Sequence, residues 1–173
     1  MDQEWLYTRD EYGETPLTRI SKSGRMEIAS LMFVQTIEDR LREVANLPAL
    51  HRAAYWGYDD AIIELLEMGD DIDEVDAQGE TPLHKAARLG NLVAAKVLIE
   101  HGANPDRQNA LGLSPLHWAA LTGRLEVVEL LMESGANPHV RDWVCGGMTP
   151  LSFAKLMRYK DVIEAFQIAM AVW

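Results

Sequence analysis

Two stretches in the middle of the chain recur at a fixed interval, and this periodicity constrains the fold more than any other property of the sequence. Gly79-Glu80-Thr81-Pro82-Leu83-His84-Lys85-Ala86-Ala87-Arg88-Leu89-Gly90 returns thirty-three residues later as Gly112-Leu113-Ser114-Pro115-Leu116-His117-Trp118-Ala119-Ala120-Leu121-Thr122-Gly123. Each copy is followed by a second apolar segment, Val93 to Ile99 and Leu125 to Met132. Each then closes on Gly-Ala-Asn-Pro, at Gly102 to Pro105 and Gly135 to Pro138. A repeat of this length is one structural unit, stacked on copies of itself.

The unit's local chemistry predicts helix, turn, helix, then a polar turn into the next copy. Thr81 and Ser114 are N-cap residues, whose hydroxyls satisfy an orphaned backbone N–H. Pro82 and Pro115 follow at the first helical position, where a missing N–H costs nothing. Leu83, Ala86 and Ala87 line one face, and the two alanines admit a neighbouring helix closely. Gly90 and Gly123 end the first helix through a left-handed residue, and the second helix stops at Gly102 or Gly135.

Thr-Pro-Leu-His-x-Ala-Ala-x-x-Gly with this period resembles the ankyrin repeat. The resemblance implies an all-α solenoid, a curved stack of helix pairs with short β-hairpin fingers projecting between repeats and a concave face beside them. It also implies a protein–protein interaction scaffold without catalytic residues. Fold does not by itself name the partner.

Composition narrows the function classes. The chain has 173 residues, 48% hydrophobic and 25% charged, which suits one domain. A net charge of −11 argues against sequence-independent binding to nucleic-acid phosphates. No apolar run approaches the roughly 18 residues of a membrane span. The start, Met1-Asp2-Gln3-Glu4-Trp5, lacks the order of a secretory signal. The single cysteine, Cys145, forms no internal disulfide, so a reducing cytoplasm is expected, although a non-classically exported effector would look the same.

Taken in order, residues 1–12 form an acidic leader, and 13–173 a single domain of five repeats, about 13–45, 46–78, 79–111, 112–146 and 147–173. In the first, Gly13-Glu14-Thr15-Pro16-Leu17 opens well, but no Gly or Pro interrupts Arg25 to Asn46. A long second helix reaching about Glu43 is expected there, as in an irregular terminal cap. In the second, Pro48 stands where the capping Thr belongs, so its helix start should be weak. The fifth opens at Gly147, thirty-five residues after Gly112, so the finger before it carries two extra residues. Arg158 replaces its terminating glycine, and a last helix runs from about Lys160.

Candidate chemistry reduces to structure. His51, His84 and His117 occupy one position in successive repeats, and stacked helices about 8–10 Å apart do not favour zinc ligation. The resemblance implies that this histidine bonds backbone locally. The acids Glu67, Asp70, Asp71, Asp73, Glu74, Asp76 and Glu80 miss the calcium-loop pattern, since Val75 and Asp76 stand at its fifth and sixth positions. They read as a solvated edge, or as a steering patch for a basic partner. No nucleophile–base pair or phosphate loop stands out. No enzyme activity, cofactor or metal is expected.

The resemblance puts partner contacts on the concave face and the finger tips. The residues six, nine and ten after each opening Gly or Asn form the groove: Arg19, Lys22 and Ser23; Arg52, Tyr55 and Trp56; Lys85, Arg88 and Leu89; Trp118, Leu121 and Thr122; Phe153, Leu156 and Met157. Five bases lie in the first three copies, and apolar or neutral side chains in the last two. An acidic or phosphorylated segment is expected over the former and an apolar one over the latter. The finger set is Ala77, Gln78 and Glu80; Ala110, Leu111 and Leu113; Trp143, Val144, Cys145 and Met148. The expected function is an adaptor or regulator binding another protein, with neither nucleic acid nor membrane as partner. The alternatives are an inhibitor that blocks an enzyme or toxin, and self-assembly through the C-terminal helix, a homo-oligomer being possible but not favoured.

Overall fold

The structure, a computed structural model, describes residues 46–172. The expected leader, the first repeat with the long helix expected there, and the groove bases Arg19 and Lys22 lie outside the described residues. Within them are eight helices: α1 (Ala49–Trp56), α2 (Asp59–Glu67), α3 (Pro82–Leu89), α4 (Leu92–Glu100), α5 (Pro115–Leu121), α6 (Leu125–Glu133), α7 (Pro150–Met157) and α8 (Lys160–Val172). They form four antiparallel pairs in two layers. The first helices pack in the order α1, α3, α5, α7, and the second helices as α2, α4, α6, α8.

Alanine sets the spacing between layers. Ala53, Ala54, Ala86, Ala87, Ala94, Ala95, Ala119, Ala120 and Ala154 are all buried, with Leu50, Leu83, Leu98, Leu116 and Leu131 filling the gaps between them. Methyl side chains let helix axes approach, and the leucines supply most of the area removed from water, about 25 cal/mol per Å2.

The buried histidines tie one repeat to the next. His84 Nδ1 accepts from the Thr81 N–H at 3.0 Å, and its Nε2 lies 3.0 Å from the Leu113 carbonyl. Because Nδ1 accepts, the ring proton sits on Nε2 and donates to the neighbouring repeat. His117 repeats the arrangement with Ser114 and the Met148 carbonyl, at 3.0 and 3.2 Å. His51 reaches the Glu80 carbonyl at 2.8 Å, but Pro48 offers its Nδ1 neither N–H nor hydroxyl. That nitrogen is buried without a partner, and α1 has no side-chain cap. Replacing Pro48 by Thr supplies both groups. It is expected to stabilise the chain by about 1 kcal/mol, read as a raised urea midpoint; an unchanged midpoint contradicts this reading.

The last described pair departs from the ladder. Ser152 stands at the histidine position of the last described pair and bonds Thr149 at 3.0 Å. Likewise Gly123, at φ +70°, has the Tyr159 ring 3.0 Å from where a Cβ would stand. The corresponding Arg158 takes the same left-handed conformation at φ 59°, the sole non-glycine residue to do so among those described.

The fingers correct one expectation. Among the described residues there is no strand. Each finger is a turn whose first residue closes it through a side chain. Asp76 Oδ1 accepts from the N–H groups of Gln78 and Glu80, both at 2.9 Å. Asn109 Oδ1 accepts from Leu111 and Leu113, both at 3.0 Å, and Asp142 Oδ1 from Cys145 and Gly147, at 2.8 and 3.3 Å. Two backbone bonds close each of the first two fingers, as from the Asn109 N–H to the Leu113 carbonyl and from the Gly112 N–H to the Asn109 carbonyl. Successive fingers are joined along the backbone by bonds from Ala110 N–H to the Gln78 carbonyl and from Trp143 N–H to the Leu111 carbonyl. The third finger closes over Asp142 to Met148 where its predecessors close over Asp76 to Glu80 and Asn109 to Leu113, so the two extra residues lie at its tip.

Candidate partner-binding surface

The concave positions divide into an open part and a closed part, which the sequence spacing does not separate. Arg52 is exposed, with one guanidinium N–H bound to the Leu47 carbonyl at 2.8 Å. Trp56 is 49% exposed, its ring edge-on to Tyr55 with centroids 5.0 Å apart. Tyr55 itself is buried against Leu47 and the half-buried Leu89. Arg88 is half-buried, its guanidinium carbon 5.3 Å from the Trp118 ring centroid. Thr122 and Leu156 are also half-buried, and the Thr122 hydroxyl is bound to the Trp118 carbonyl at 2.7 Å.

Lys85 departs furthest from its expected place as a groove base. It is completely buried, its ammonium 2.6 Å from both Asp76 Oδ2 and Glu80 Oε2. Asn109 completes the site, its amide donating to Glu80 Oε1 at 3.2 Å. The lysine stem is long enough to turn under its own finger, where two carboxylates out of water hold the charge. Glu80, expected at a finger tip, is buried for the same reason. Burial alone would push the Glu80 carboxyl up. The charges of Arg88 and Lys85, with the hydrogen bond from Lys85, overcome that and hold it down at about 2.

The apolar half of the expected groove is likewise closed. Trp118, Leu121, Phe153 and Met157 are buried together with Leu113, and Leu111, Cys145, Met148 and Tyr159 pack at the edge. These side chains are large enough to bridge neighbouring inner helices and reach beneath the fingers, so they form a second core. Leu113, expected at a tip, belongs to it. Between its residues and Asp142 lies a cleft of about 10 Å3, the space of a single water and too small for a drug-sized ligand.

The remaining finger positions are open. Ala77, Gln78, Ala110, Trp143 and Val144 are exposed, while Leu111, Cys145 and Met148 are half-buried. Trp143 is held against the α-carbon of Gly112: a Cβ there would lie 2.6 Å from its ring, at φ +77°. It nevertheless remains 65% exposed.

The acidic run is partly structural. Besides Asp76 and Glu80, Asp73 accepts the Asn104 N–H at 3.1 Å, and Asp106 accepts the Asn137 N–H at 2.7 Å one repeat later. Glu67, Asp70, Asp71 and Glu74 are exposed and keep the character of a solvated edge. Asp76, Asn109 and Asp142, which shape the fingers, were missed as functional positions. Their signal is an Asp or Asn opening each polar turn before the next repeat's glycine.

Burial, opposed by the Met148 carbonyl, lowers His117 to about 4, and burial lowers His51 and His84 as well. The rings are therefore neutral inter-repeat ties. Among the described residues no His, Cys, Asp and Glu cluster could hold a metal ion, and no helix is long and apolar enough to cross a membrane.

No curated protein matches the chain. A family model described as ankyrin repeats, in three copies, matches residues 50–142, more than half of the chain. Ankyrin repeats are general protein–protein interaction modules. With its stacked helix pairs, alanine-lined layers and inter-repeat histidine ties, the chain belongs to the ankyrin-repeat family.

Proposed function

We propose that this chain is a non-catalytic adaptor or regulator that grips a segment of another protein across its finger tips and the open end of its concave face. The observation that carries the reading is the tip row. Trp143 is 65% and Val144 39% exposed, with Leu111 beside them. Trp143 is also held in place by its bond to the Leu111 carbonyl and its seat on Gly112. Aromatic anchors already fixed before binding lose little entropy, and Trp and Arg are the types that dominate binding energy. At the other end, Trp56 and Arg52 offer a second pair of such side chains, with the half-buried Arg88 between the two regions. The single cysteine supports a reducing compartment such as the cytoplasm.

The test uses the full chain as bait and follows one captured partner through Trp143→Ala and through Arg52→Ala with Trp56→Ala. Each variant is expected to weaken capture about tenfold or more. Each variant should remain folded, with unfolding free energy lowered by no more than about 2 kcal/mol, because part of each indole rests on Tyr55 or Gly112. Undiminished capture by both variants overturns the reading.

A further inference from the structure

The row of fingers ends on an edge that repeats the groups used at the joints inside the row. The Gln78 and Leu111 carbonyls accept the Ala110 and Trp143 N–H groups of the finger that follows each. The Gln108 amide also bonds the Gly112 carbonyl of its own finger at 2.6 Å and the Arg141 carbonyl of the next at 2.9 Å. Val144 stands at the place of Gln78 and Leu111, and its carbonyl accepts no hydrogen bond among the described residues. Arg141 stands at the place of Gln108 and repeats the first of its bonds, to the Gly147 carbonyl at 3.0 Å. Its side chain is exposed and keeps further guanidinium N–H groups for the second. No finger springs from the last described pair to meet these groups. Instead α8 continues through Met170, at the position where Gly69, Gly102 and Gly135 turn the chain after α2, α4 and α6.

We propose that the outer edge of the third finger binds an extended acidic segment of the partner protein, which takes the place of a further finger. The proposal rests on the reading that the fingers grip another protein. The inner joint supplies the pattern. There the third finger offers the second a carbonyl from Arg141 and, two residues along, an N–H from Trp143. A bound segment needs the same order, an acceptor at one residue and a backbone N–H at the residue after next. An open edge carrying a carbonyl and a donor is a template for adding an extended chain. Arginine in place of glutamine changes the preferred acceptor, because a guanidinium pairs more strongly with a carboxylate than with a neutral carbonyl. The first of the two residues is therefore Asp or Glu. The surrounding charge agrees. In residues 139–172 bases outnumber acids four to three, whereas in 46–138 acids outnumber bases fifteen to six. Lys155 is exposed where Ala54, Ala87 and Ala120 are buried, so a further base lies on this end of the stack. Trp143 and Val144, both exposed, give the apolar residues of the segment a surface to cover.

The experiment titrates the full isotope-labelled chain with acetyl-Glu-Ala-Leu-Val-amide and follows the carbonyl carbon of Val144. Three further peptides carry Gln or Lys in place of the Glu, or a methyl group on the Leu nitrogen. The Glu peptide is expected to shift the resonance saturably. It should bind about tenfold more tightly than the Lys peptide, and about threefold more tightly than the Gln or N-methyl peptide. Arg141→Gln installs the residue that the second finger carries as Gln108, so the finger is expected to keep its shape. In that variant the preference for Glu over Gln is expected to vanish while the N-methyl penalty stays. No shift with the Glu peptide, equal binding of the Lys or N-methyl peptide, or a Glu preference that survives Arg141→Gln overturns the proposal. A Val144 shift produced by raising the protein concentration alone would put a second copy on the edge and also overturns it. A captured partner that is lost in Trp143→Ala but held at full strength by Arg141→Gln sinks the edge, while sustaining the broader reading of the fingers.

Discussion

Replacing Lys85 by methionine is expected to lower the unfolding free energy by about 3–5 kcal/mol. The ammonium is completely buried between Asp76 and Glu80, at 2.6 Å from each. Methionine fills much the same volume but leaves two carboxylates facing each other out of water. The loss thus comes from the charges left behind more than from the contact removed. A second variant separates these contributions. Adding Asp76→Asn and Glu80→Gln to Lys85→Met removes the stranded charges, and Asp76→Asn keeps the oxygen that closes the finger. The triple variant is expected to recover about half of the loss or more, a coupling typical of groups in one network. Urea unfolding of the wild type, the single variant and the triple variant decides the matter. A loss below about 1 kcal/mol in Lys85→Met would show that the charge is not held as the geometry indicates.

Acidification is the second large effect, and its direction follows from the buried rings. His117 binds its proton at about 4 in the folded chain, far below the ordinary value of 6.5. Between those values the unfolded chain takes up a proton that the folded chain refuses. The stabilisation is therefore complete above pH 6.5 and is lost as the pH falls toward 4, by about 3 kcal/mol from this ring. His51 and His84 are lowered too and act in the same sense. Glu80, lowered from 4.5 to about 2, adds its own loss below pH 4.5, once unfolded carboxyls protonate first. Melting temperature should accordingly drop steeply between pH 6.5 and 4.5, and His117→Gln should flatten part of that slope. A melting temperature that held level or rose across this interval would contradict the neutral, donating rings described above.

These two effects show where the sequence was legible. The repeat length, the helix starts at Thr81, Ser114 and Thr149, and the turn after each first helix are all written in local chemistry. A capping hydroxyl, a proline at the first helical position and a left-handed glycine act within a few residues of themselves. The weak start at Pro48 was readable for the same reason, and so were the two extra residues in the finger before Gly147. The lack of strands in the described fingers was not. Strand pairing depends on arm length and on competing side-chain acceptors, and here Asp76, Asn109 and Asp142 close the turns first.

What the sequence by itself determined is the unit and its repetition, because each unit's order follows from contacts between near neighbours in the chain. Only the tertiary structure decided which side chains of the inner helices meet solvent. Arg52 and Lys85 hold the same place in successive repeats. One is exposed, and the other is sealed under carboxylates of its own finger. Trp56 and Met157 likewise share a position, yet one is 49% exposed and the other is buried in the second core. Exposure at such positions depends on the length of the side chain and on what the adjacent finger and repeat present to it, and those groups lie on neighbouring turns and helices that helical spacing alone does not count.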